Sequence, residues 1–125
     1  MKITTFNPQI ITKNEDEIVK LFEELGFEKR HQKDDIGDMV VKGIIMRNED
    51  NFKIDISNPD AMPEAPDMTS IRMNVDDFDE AYNLLISHGF KNFYGNDTVD
   101  TPSSKSALLF APSGYSINLV KHIKK

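Results

Sequence analysis

Two charged side chains are the residues best suited to contact a small molecule, Asp55 and Arg72. Each lies on the polar side of a segment in which polar and apolar residues alternate, which is the pattern of a half-buried strand. A carboxylate accepts hydrogen bonds from a ligand amine, and a guanidinium donates them to a ligand carboxylate or carbonyl. An ion pair between the two residues is the alternative, and exposed pairs of this kind contribute little to stability.

The same alternation gathers further polar side chains on one face of four predicted strands. That polar face consists of Asn7, Gln9, Lys53, Asp55, Ser57, Ser70, Arg72, Asn74, Ser116 and Asn118. The intervening apolar residues, expected to pack on helices, are Phe6, Pro8, Ile10, Phe52, Ile54, Ile56, Ile71, Met73, Val75, Tyr115, Ile117 and Leu119. We predict that the ligand-binding residues are Asn7, Gln9, Lys53, Asp55, Ser70, Arg72 and Asn118. The alternative is a polar face that meets only water, as one side of many antiparallel sheets does.

An internal repeat relates these strands in pairs. Sliding the chain over itself by 63 positions aligns Gly26 with Gly89, Ile54 with Ile117, Asn7 with Ser70 and Asp55 with Asn118, without a gap. The period is too long for a solenoid and indicates a duplicated half-domain with a pseudo-twofold axis. Residues related by that axis could converge on one shared groove.

Each copy of the repeat contains one amphipathic helix. Asn14 and Asp77 are the predicted N-caps, with Glu17 and Glu80 three residues later as in a capping box. The apolar faces are predicted to consist of Ile18, Leu21, Phe22 and Leu25 in the first helix, and of Phe78, Ala81, Leu84, Leu85 and His88 in the second. Gly26 and Gly89 follow the helices and favour the left-handed conformation that ends them.

The rest of each copy is predicted to be strand. The strands fall at 2–12, 27–33, 38–47 and 51–57, then at 68–75, 90–94, 105–111 and 115–121, with turns at 48–51 and 112–114. Three of the six prolines lie in 58–67, which we interpret as a linker between a module 1–58 and a module 67–125 of one domain, 1–125. The polar loop 95–106 is either a lid over the groove or a floppy connection.

Composition excludes several functions. With 15 Lys and Arg against 21 Asp and Glu the net charge is −6, so the chain should repel nucleic acid and anionic membranes. The absence of cysteine excludes disulfides, thiolate zinc sites and a cysteine nucleophile. No apolar run approaches the roughly 20 residues that span a bilayer. We expect a cytoplasmic protein with neither nucleic acid nor membrane as a partner.

The chain resembles the vicinal oxygen chelate superfamily, the glyoxalase, bleomycin-resistance and dioxygenase group. The duplicated strand-helix-three-strand order, the helix ends at 25–27 and 88–90, and the segment 111–119, which is similar to the family's Asp-Pro-x-Gly-x-x-Ile-Glu-Leu hairpin, carry the resemblance. It implies an α+β fold in which duplicated βαβββ modules form a curved mixed sheet with an open cleft. It also implies a homodimer, which would cover open sheet edges.

The resemblance further implies a metal-binding site. The residues of this chain at the ligand positions differ from those of the metal-dependent members. Metal-dependent members place His or Glu at four positions that here are Asn7, Asp55, Ser70 and Asn118. One carboxylate and three neutral groups predict no zinc, nickel or iron, and at most a weakly held divalent cation. His31, His88 and His122 lack partners at metal-ligand spacing, and we expect them to be structural or solvent-facing.

Three classes of function follow. The first is a metal-free protein of the bleomycin-resistance type that binds, and could sequester, a drug-like or metabolite ligand in its cleft, with no cofactor. The second is a glyoxalase-type lyase or isomerase in which Asp55 acts as a base or holds a weakly bound metal. The third is a scaffold or regulatory module with a vestigial cleft.

Overall fold

The computed structural model describes residues 1–33, 41–59 and 66–123. Within these ranges there are nine strands and two helices. In chain order they are β1 (Ile3–Ile11), α1 (Glu15–Glu24), β2 (Glu28–Lys33), β3 (Val41–Arg47), β4 (Lys53–Pro59), β5 (Met68–Val75), α2 (Phe78–Ser87), β6 (Lys91–Asn92), β7 (Val99–Thr101), β8 (Ser104–Phe110) and β9 (Ser116–His122). This α+β content and the two similar strand-helix-strand successions confirm the predicted fold class.

The chain divides into two compact units. The N-terminal unit is Asn7–Thr69, and the C-terminal unit combines Ser70–Lys125 with Met1–Phe6. The first residues of the chain are held in the C-terminal unit because the backbone N–H and C=O of Lys2 bond Asp76, with Lys2 N–H donating to Asp76 Oδ1 at 2.6 Å. The N-terminal ammonium also lies 3.1 Å from Glu80 Oε1.

In the N-terminal unit the strand order is β2-β3-β4-β1. β1 and β4 run parallel, with Gln9 opposite Asp55, while β4 and β3 form an antiparallel hairpin. The predicted alternation holds for the apolar residues of β4, and β3 shows the same pattern. The inward side chains of both strands form a core with Val19 of α1. That core consists of Val19, Ile44, Met46, Ile54 and Ile56.

The C-terminal unit repeats this arrangement, in the order β5-β9-β8-β6. β5 and β9 run parallel, with Ser70 opposite Ser116 and Arg72 opposite Asn118. Its core contains Met73, Val75, Phe78, Ala81, Phe90, Ala107, Leu109, Ala111, Ile117 and Leu119. The parallel pair in each unit therefore joins the strand before the helix to the last strand of the repeat.

Both helices begin at the predicted caps, but their buried faces differ from the prediction. Asp77 accepts a hydrogen bond from Glu80 N–H at 3.1 Å, whereas the Asn14 side chain makes no cap bond. The predicted face was wrong at Leu21, Leu25 and Leu84, which are about half exposed or more. The buried apolar residue of α1 is instead Val19, with Ile18 and Phe22 partly buried beside it. The buried apolar face of α1 is therefore narrower than the sequence pattern suggests.

Further predictions need correction. Phe6, Phe52 and Tyr115, assigned to the side packed on helices, are 63%, 66% and 54% exposed. Instead of a strand at 90–94 the structure has β6 over Lys91–Asn92 only, and a turn follows it, although Phe93 N–H still donates to the Leu108 carbonyl oxygen at 2.8 Å. Part of the predicted linker and of the third strand lies outside the described residues. No described helix is long and apolar enough to cross a membrane.

Candidate functional site

In the N-terminal unit the predicted site residues lie on the parallel pair β1 and β4. Gln9 is opposite Asp55 in the register, and Asn7 Nδ2 donates a hydrogen bond to Asp55 Oδ2. Asn7 and Asp55 are buried, with exposed fractions of 6% and 2%. A buried carboxylate must be stabilised by hydrogen bonds or charge, and the Asn7 amide supplies part of that stabilisation.

The orientation of the Asn7 amide is fixed by its two acceptors. Its Nδ2 also donates to the carbonyl oxygen of Pro8, at 3.1 Å. A reversed amide would place Oδ1 against the Asp55 carboxylate and a carbonyl, which are both acceptors only. Asn7 Oδ1 therefore points away from both, and no described group donates to it.

Two more polar residues of this unit surround the pair. Gln9 is 2% exposed, and its Nε2 donates to Ser57 Oγ at 2.8 Å. Lys53 lies at the start of β4 and is half-buried. The structure thus brings together the predicted set of the N-terminal unit, Asn7, Gln9, Lys53 and Asp55, on the same two strands.

In the C-terminal unit the corresponding residues lie on β5 and β9. Ser70 is 5% exposed, and no described group hydrogen-bonds its Oγ. Arg72 is half-buried, and its Nε donates to Asn74 Oδ1 at 3.3 Å. Asn118 is opposite Arg72 in the register and is also half-buried. The predicted set Ser70, Arg72 and Asn118 is therefore gathered on this unit's parallel pair. An ion pair of Arg72 with Asp55 stays a prediction.

The polar face is not a simple solvated surface. Asn7, Gln9, Asp55, Ser70, Asn74 and Ser116 are all buried. The described residues contain four buried side-chain oxygens without a hydrogen-bond partner, namely Thr5 Oγ1, Asn7 Oδ1, Asn58 Oδ1 and Ser70 Oγ. Two of them, on Asn7 and Ser70, occupy equivalent positions of the repeat. Buried polar atoms are normally paired, so this recurrence calls for a physical explanation.

The sequence prediction missed one residue of this face. Thr5 lies on β1 two residues before Asn7, and its Oγ1 is among the buried oxygens without a partner. The alternation that selected Asn7 and Gln9 extends to Thr5 and would have found it.

The loop 95–106 contains a strand that the sequence did not predict. β7 pairs antiparallel with β8 through Val99, Asp100 and Thr101. Asn92 Nδ2 donates to the Asp97 carbonyl oxygen at 2.8 Å, near the start of the loop. Part of the loop is therefore paired with the sheet, and a role as a lid over the groove stays a prediction. His88 is the C-cap of α2 and is exposed, which agrees with a solvent-facing histidine and not with its assignment to the apolar face of the helix.

Comparison with solved structures identifies the fold. Methylmalonyl-CoA epimerase from Mycobacterium tuberculosis matches with a TM-score of 0.67 and 15% identity, over 98% of this chain and 90% of that chain. A glyoxalase/bleomycin resistance protein/dioxygenase superfamily member from Vibrio splendidus matches with a TM-score of 0.59 and 11% identity, over 96% and 99%. A protein from Staphylococcus aureus matches with a TM-score of 0.63 and 19% identity, over 97% and 98%. The chain has the fold of the vicinal oxygen chelate superfamily. No protein-family model and no curated protein matches the chain.

The vicinal oxygen chelate fold raises the question of a metal ion at Asn7, Asp55, Ser70 and Asn118. Zinc, nickel and iron sites need three or four imidazole, thiolate or carboxylate ligands, and this set offers one carboxylate. The Asp55 Oδ2 atom already accepts a hydrogen bond from Asn7. These residues therefore do not fit a transition-metal ion. Within the described part of the chain no group of three His, Cys, Asp or Glu residues could hold a metal.

Proposed function

We propose that the chain is a small-molecule-binding protein of the glyoxalase and bleomycin-resistance type that needs no tightly held metal. Its ligand would contact the polar side chains of β1, β4, β5 and β9. The seven contact residues we propose are Asn7, Gln9, Lys53, Asp55, Ser70, Arg72 and Asn118. The ligand would be a drug-like molecule or a metabolite, and binding would sequester it.

The observation that carries this proposal is the pair of buried oxygens, on Asn7 and Ser70, for which the described part of the chain offers no hydrogen-bond partner. Leaving a buried polar group unpaired costs about 1–3 kcal/mol, so a chain optimised only for stability would replace it. Two such groups occur at equivalent positions of a repeat whose sequence has otherwise diverged. A ligand group that donates to Asn7 Oδ1, or one that bonds Ser70 Oγ, would remove the cost at that atom on binding.

The side chains around these oxygens define the chemistry of the ligand. Asn7 Oδ1 and the Asp55 carboxylate are acceptors, so the N-terminal unit favours an amine, amide or hydroxyl donor. Arg72 is a donor and favours a carboxylate or carbonyl oxygen in the C-terminal unit. We therefore propose a neutral or cationic organic ligand that also carries a carbonyl-type acceptor, which suits a chain of net charge −6.

A thermal-unfolding screen tests the proposal. The chain is heated with a library of amines, amides and aromatic cations, with and without a metal chelator. A ligand at 100 times its dissociation constant should stabilise the native state by about 2.7 kcal/mol. The stabilisation should persist in chelator and should weaken in Asn7→Ala and in Ser70→Ala.

The other candidate functions give different results in the same screen. Chemical conversion of a stabilising ligand, lost in Asp55→Asn, would favour the lyase or isomerase over a binding protein. Stabilisation by no member of the library, together with unchanged unfolding in metal, would favour the scaffold. Ligand stabilisation that is unaffected by both Asn7→Ala and Ser70→Ala would contradict the proposed site.

A further inference from the structure

The polar strand face of the C-terminal unit continues into aromatic side chains. Ser70 of β5 is opposite Ser116 of β9, and Ser116 is opposite Phe110 of β8. Residues that are paired in the register of neighbouring strands point to the same side of a sheet. Phe110 therefore lies on the same face as Ser70, whereas its neighbour Leu109 belongs to the core on the helix side.

Phe93 extends this face toward the edge of the sheet. Arg72 is opposite Asn118, and Asn118 is opposite Leu108. The N–H of Phe93 donates to the Leu108 carbonyl oxygen at 2.8 Å. The rings of Phe93 and Phe110 are in contact, with centroids 5.9 Å apart and planes at 45°. Phe93 and Phe110 thus form an aromatic pair that is continuous with the polar side chains of β5 and β9.

The backbone around Phe93 is held by hydrogen bonds. Asn92 Oδ1 accepts from the N–H of Tyr94 at 2.9 Å, and Asn92 Nδ2 donates to the Asp97 carbonyl oxygen at 2.8 Å. The rings of Phe93 and Tyr94 meet edge to face, with centroids 5.0 Å apart. Phe93 is nevertheless 43% exposed. A ring that is already held in place loses less conformational entropy when a ligand covers it.

The fold itself does not require aromatic residues at these two positions. The 63-residue offset pairs Phe93 with Arg30 and Phe110 with Arg47. Both arginines are exposed, and they lie on β2 and β3, the strands equivalent to β6 and β8. The N-terminal unit therefore forms the same strands with charged residues at these positions. Strand formation does not explain the aromatic pair.

Charge and spacing indicate what would bind beside the aromatic pair. The exposed Lys91 is opposite Phe110 on β6, so the charged side chains in these rows of the register, Lys91 and Arg72, are both cations. They favour an acceptor oxygen on a ligand. Neighbouring strands lie about 4.8 Å apart, so the Cα atoms of Phe110 and Ser70 are separated by about 10 Å. A ring on the aromatic pair can therefore carry a carbonyl group on a short chain toward Ser70 and Arg72.

We propose that the aromatic pair binds a planar aromatic ring of the ligand, while Ser70 and Arg72 donate to a carbonyl-type oxygen of the same molecule. This inference rests on the function proposed above and narrows its ligand to an aromatic carbonyl compound. Aromatic rings that pack edge to face or offset attract each other beyond the effect of buried area. A saturated ring of similar size should therefore bind less tightly.

Titration with two amides, followed by NMR, tests the aromatic pair. Phenylacetamide and cyclohexylacetamide carry the same carboxamide, but only the first has an aromatic ring. The wild-type chain should bind phenylacetamide about 3- to 10-fold more tightly than cyclohexylacetamide. Phe93→Leu and Phe110→Leu retain apolar bulk and should each remove most of this preference.

Two control variants should keep the preference for phenylacetamide. Phe110→Tyr retains an aromatic ring at the same position. Phe52→Leu makes the same change as the test variants at a phenylalanine that is 66% exposed in the turn before β4, outside the aromatic pair. A preference that Phe52→Leu removes as fully as Phe110→Leu does would overturn the proposal.

The remaining outcomes separate this inference from the proposed function. Arg72→Gln should weaken binding of both amides by a similar factor and leave the preference unchanged. Equal affinity of the wild-type chain for the two amides, binding of neither, or a preference that survives both Phe93→Leu and Phe110→Leu would overturn the inference. The proposed function would fail only if the wider ligand library gave no stabilisation that Asn7→Ala or Ser70→Ala weakens.

Discussion

At the scale of single residues, substitution of Ser70 should affect stability and ligand binding in opposite directions. Its Oγ is buried, and no described group bonds it. Ser70→Ala should therefore leave the free energy of unfolding unchanged or raise it by up to about 2 kcal/mol, because the substitution removes a desolvation cost. The same substitution should weaken ligand binding. Chemical denaturation of the free protein and a ligand titration measure the two effects.

Ser57 is the matched control for Ser70. Its Oγ accepts a hydrogen bond from Gln9 Nε2 at 2.8 Å. Ser57→Ala removes this buried hydrogen bond and should lower the free energy of unfolding by about 0.5–1.5 kcal/mol. If Ser70→Ala destabilised the chain as much as Ser57→Ala does, Ser70 would have a structural role, and the argument for a ligand at its oxygen would fail.

Asp76 gives a prediction for pH dependence. The backbone N–H of Lys2 donates to its carboxylate and holds the pKa of Asp76 below the usual 3.8. A lowered pKa in the folded state contributes stability that is fully present above pH 3.8 and is lost as the pH falls through the folded pKa. Asp76→Asn imitates the protonated carboxyl, so the gap in melting temperature between wild type and variant should be largest near neutral pH.

The same melting series, continued well below pH 3.8, completes that test. There the wild-type Asp76 carboxyl is protonated, and the two melting temperatures should converge. A gap that stays constant across the series would mean that the charge of Asp76 contributes nothing to stability, and that the carboxylate acts only through its shape.

At the scale of elements, the helix ends show how the backbone constrains sequence. Gly26 and Gly89 both follow a helix with positive φ, +99° and +89°. Alanine at either position should cost about 1–2 kcal/mol from the left-handed backbone alone. At Gly89 an added Cβ would also lie 2.9 Å from Pro112 Cγ, whereas at Gly26 it would meet nothing within 4 Å.

Gly89→Ala should therefore lower the free energy of unfolding by about 1 kcal/mol more than Gly26→Ala does. Denaturant unfolding of the two variants measures the difference. Pro112→Ala removes the proline ring. In that background, Gly89→Ala should lower the free energy of unfolding by about as much as Gly26→Ala does. Equal losses in the two single variants would show that the hairpin shifts to make room.

The elements that could be predicted from sequence are those fixed by local chemistry. The caps Asn14 and Asp77 and the glycines after each helix mark both helices to within a residue. Of the short strands, β7 was not predicted, and β6 was predicted too long, as 90–94. Each is defined by pairing with β8 rather than by its own alternation, so its own two or three residues carry no period to detect.

The residues of the candidate site could also be predicted only in part from the sequence. Alternation correctly placed Asn7 and Asp55 on one side of a parallel pair and Ser70 and Arg72 on the equivalent side of the other. It could not show that Asn7, Asp55 and Ser70 are buried, because burial depends on what covers a face rather than on the residues within it. The hydrogen bonds that orient the Asn7 amide likewise depend on strand register, which the sequence leaves open.

At the scale of the whole molecule, duplication provided two copies of every surface, and each copy could then change separately. The polar strand faces kept buried, unpaired oxygens at equivalent positions, on Asn7 and Ser70. The helix ends did not stay alike, since Leu25 of the first copy corresponds to His88 of the second.

The response of the molecule to metal ions follows from its donor groups. Asn7, Asp55, Ser70 and Asn118 offer a single carboxylate, and three neutral oxygens compensate poorly for the lost hydration of a divalent ion. We expect the melting temperature to be the same in chelator, in zinc and in nickel. Magnesium should raise the melting temperature by no more than about a degree. A ligand stabilises the native state little when its concentration is below its dissociation constant.

Asp55→Asn distinguishes the possible sources of any metal effect that is seen. Stabilisation by zinc that survives this substitution would come from surface groups such as His88 or His122 and would leave the proposal of metal-free binding intact. Stabilisation that disappears with the Asp55 carboxylate would assign the metal to the polar strand face. That result would contradict metal-free binding and would favour the lyase or isomerase, since an ion held beside a buried carboxylate can polarise a bound carbonyl.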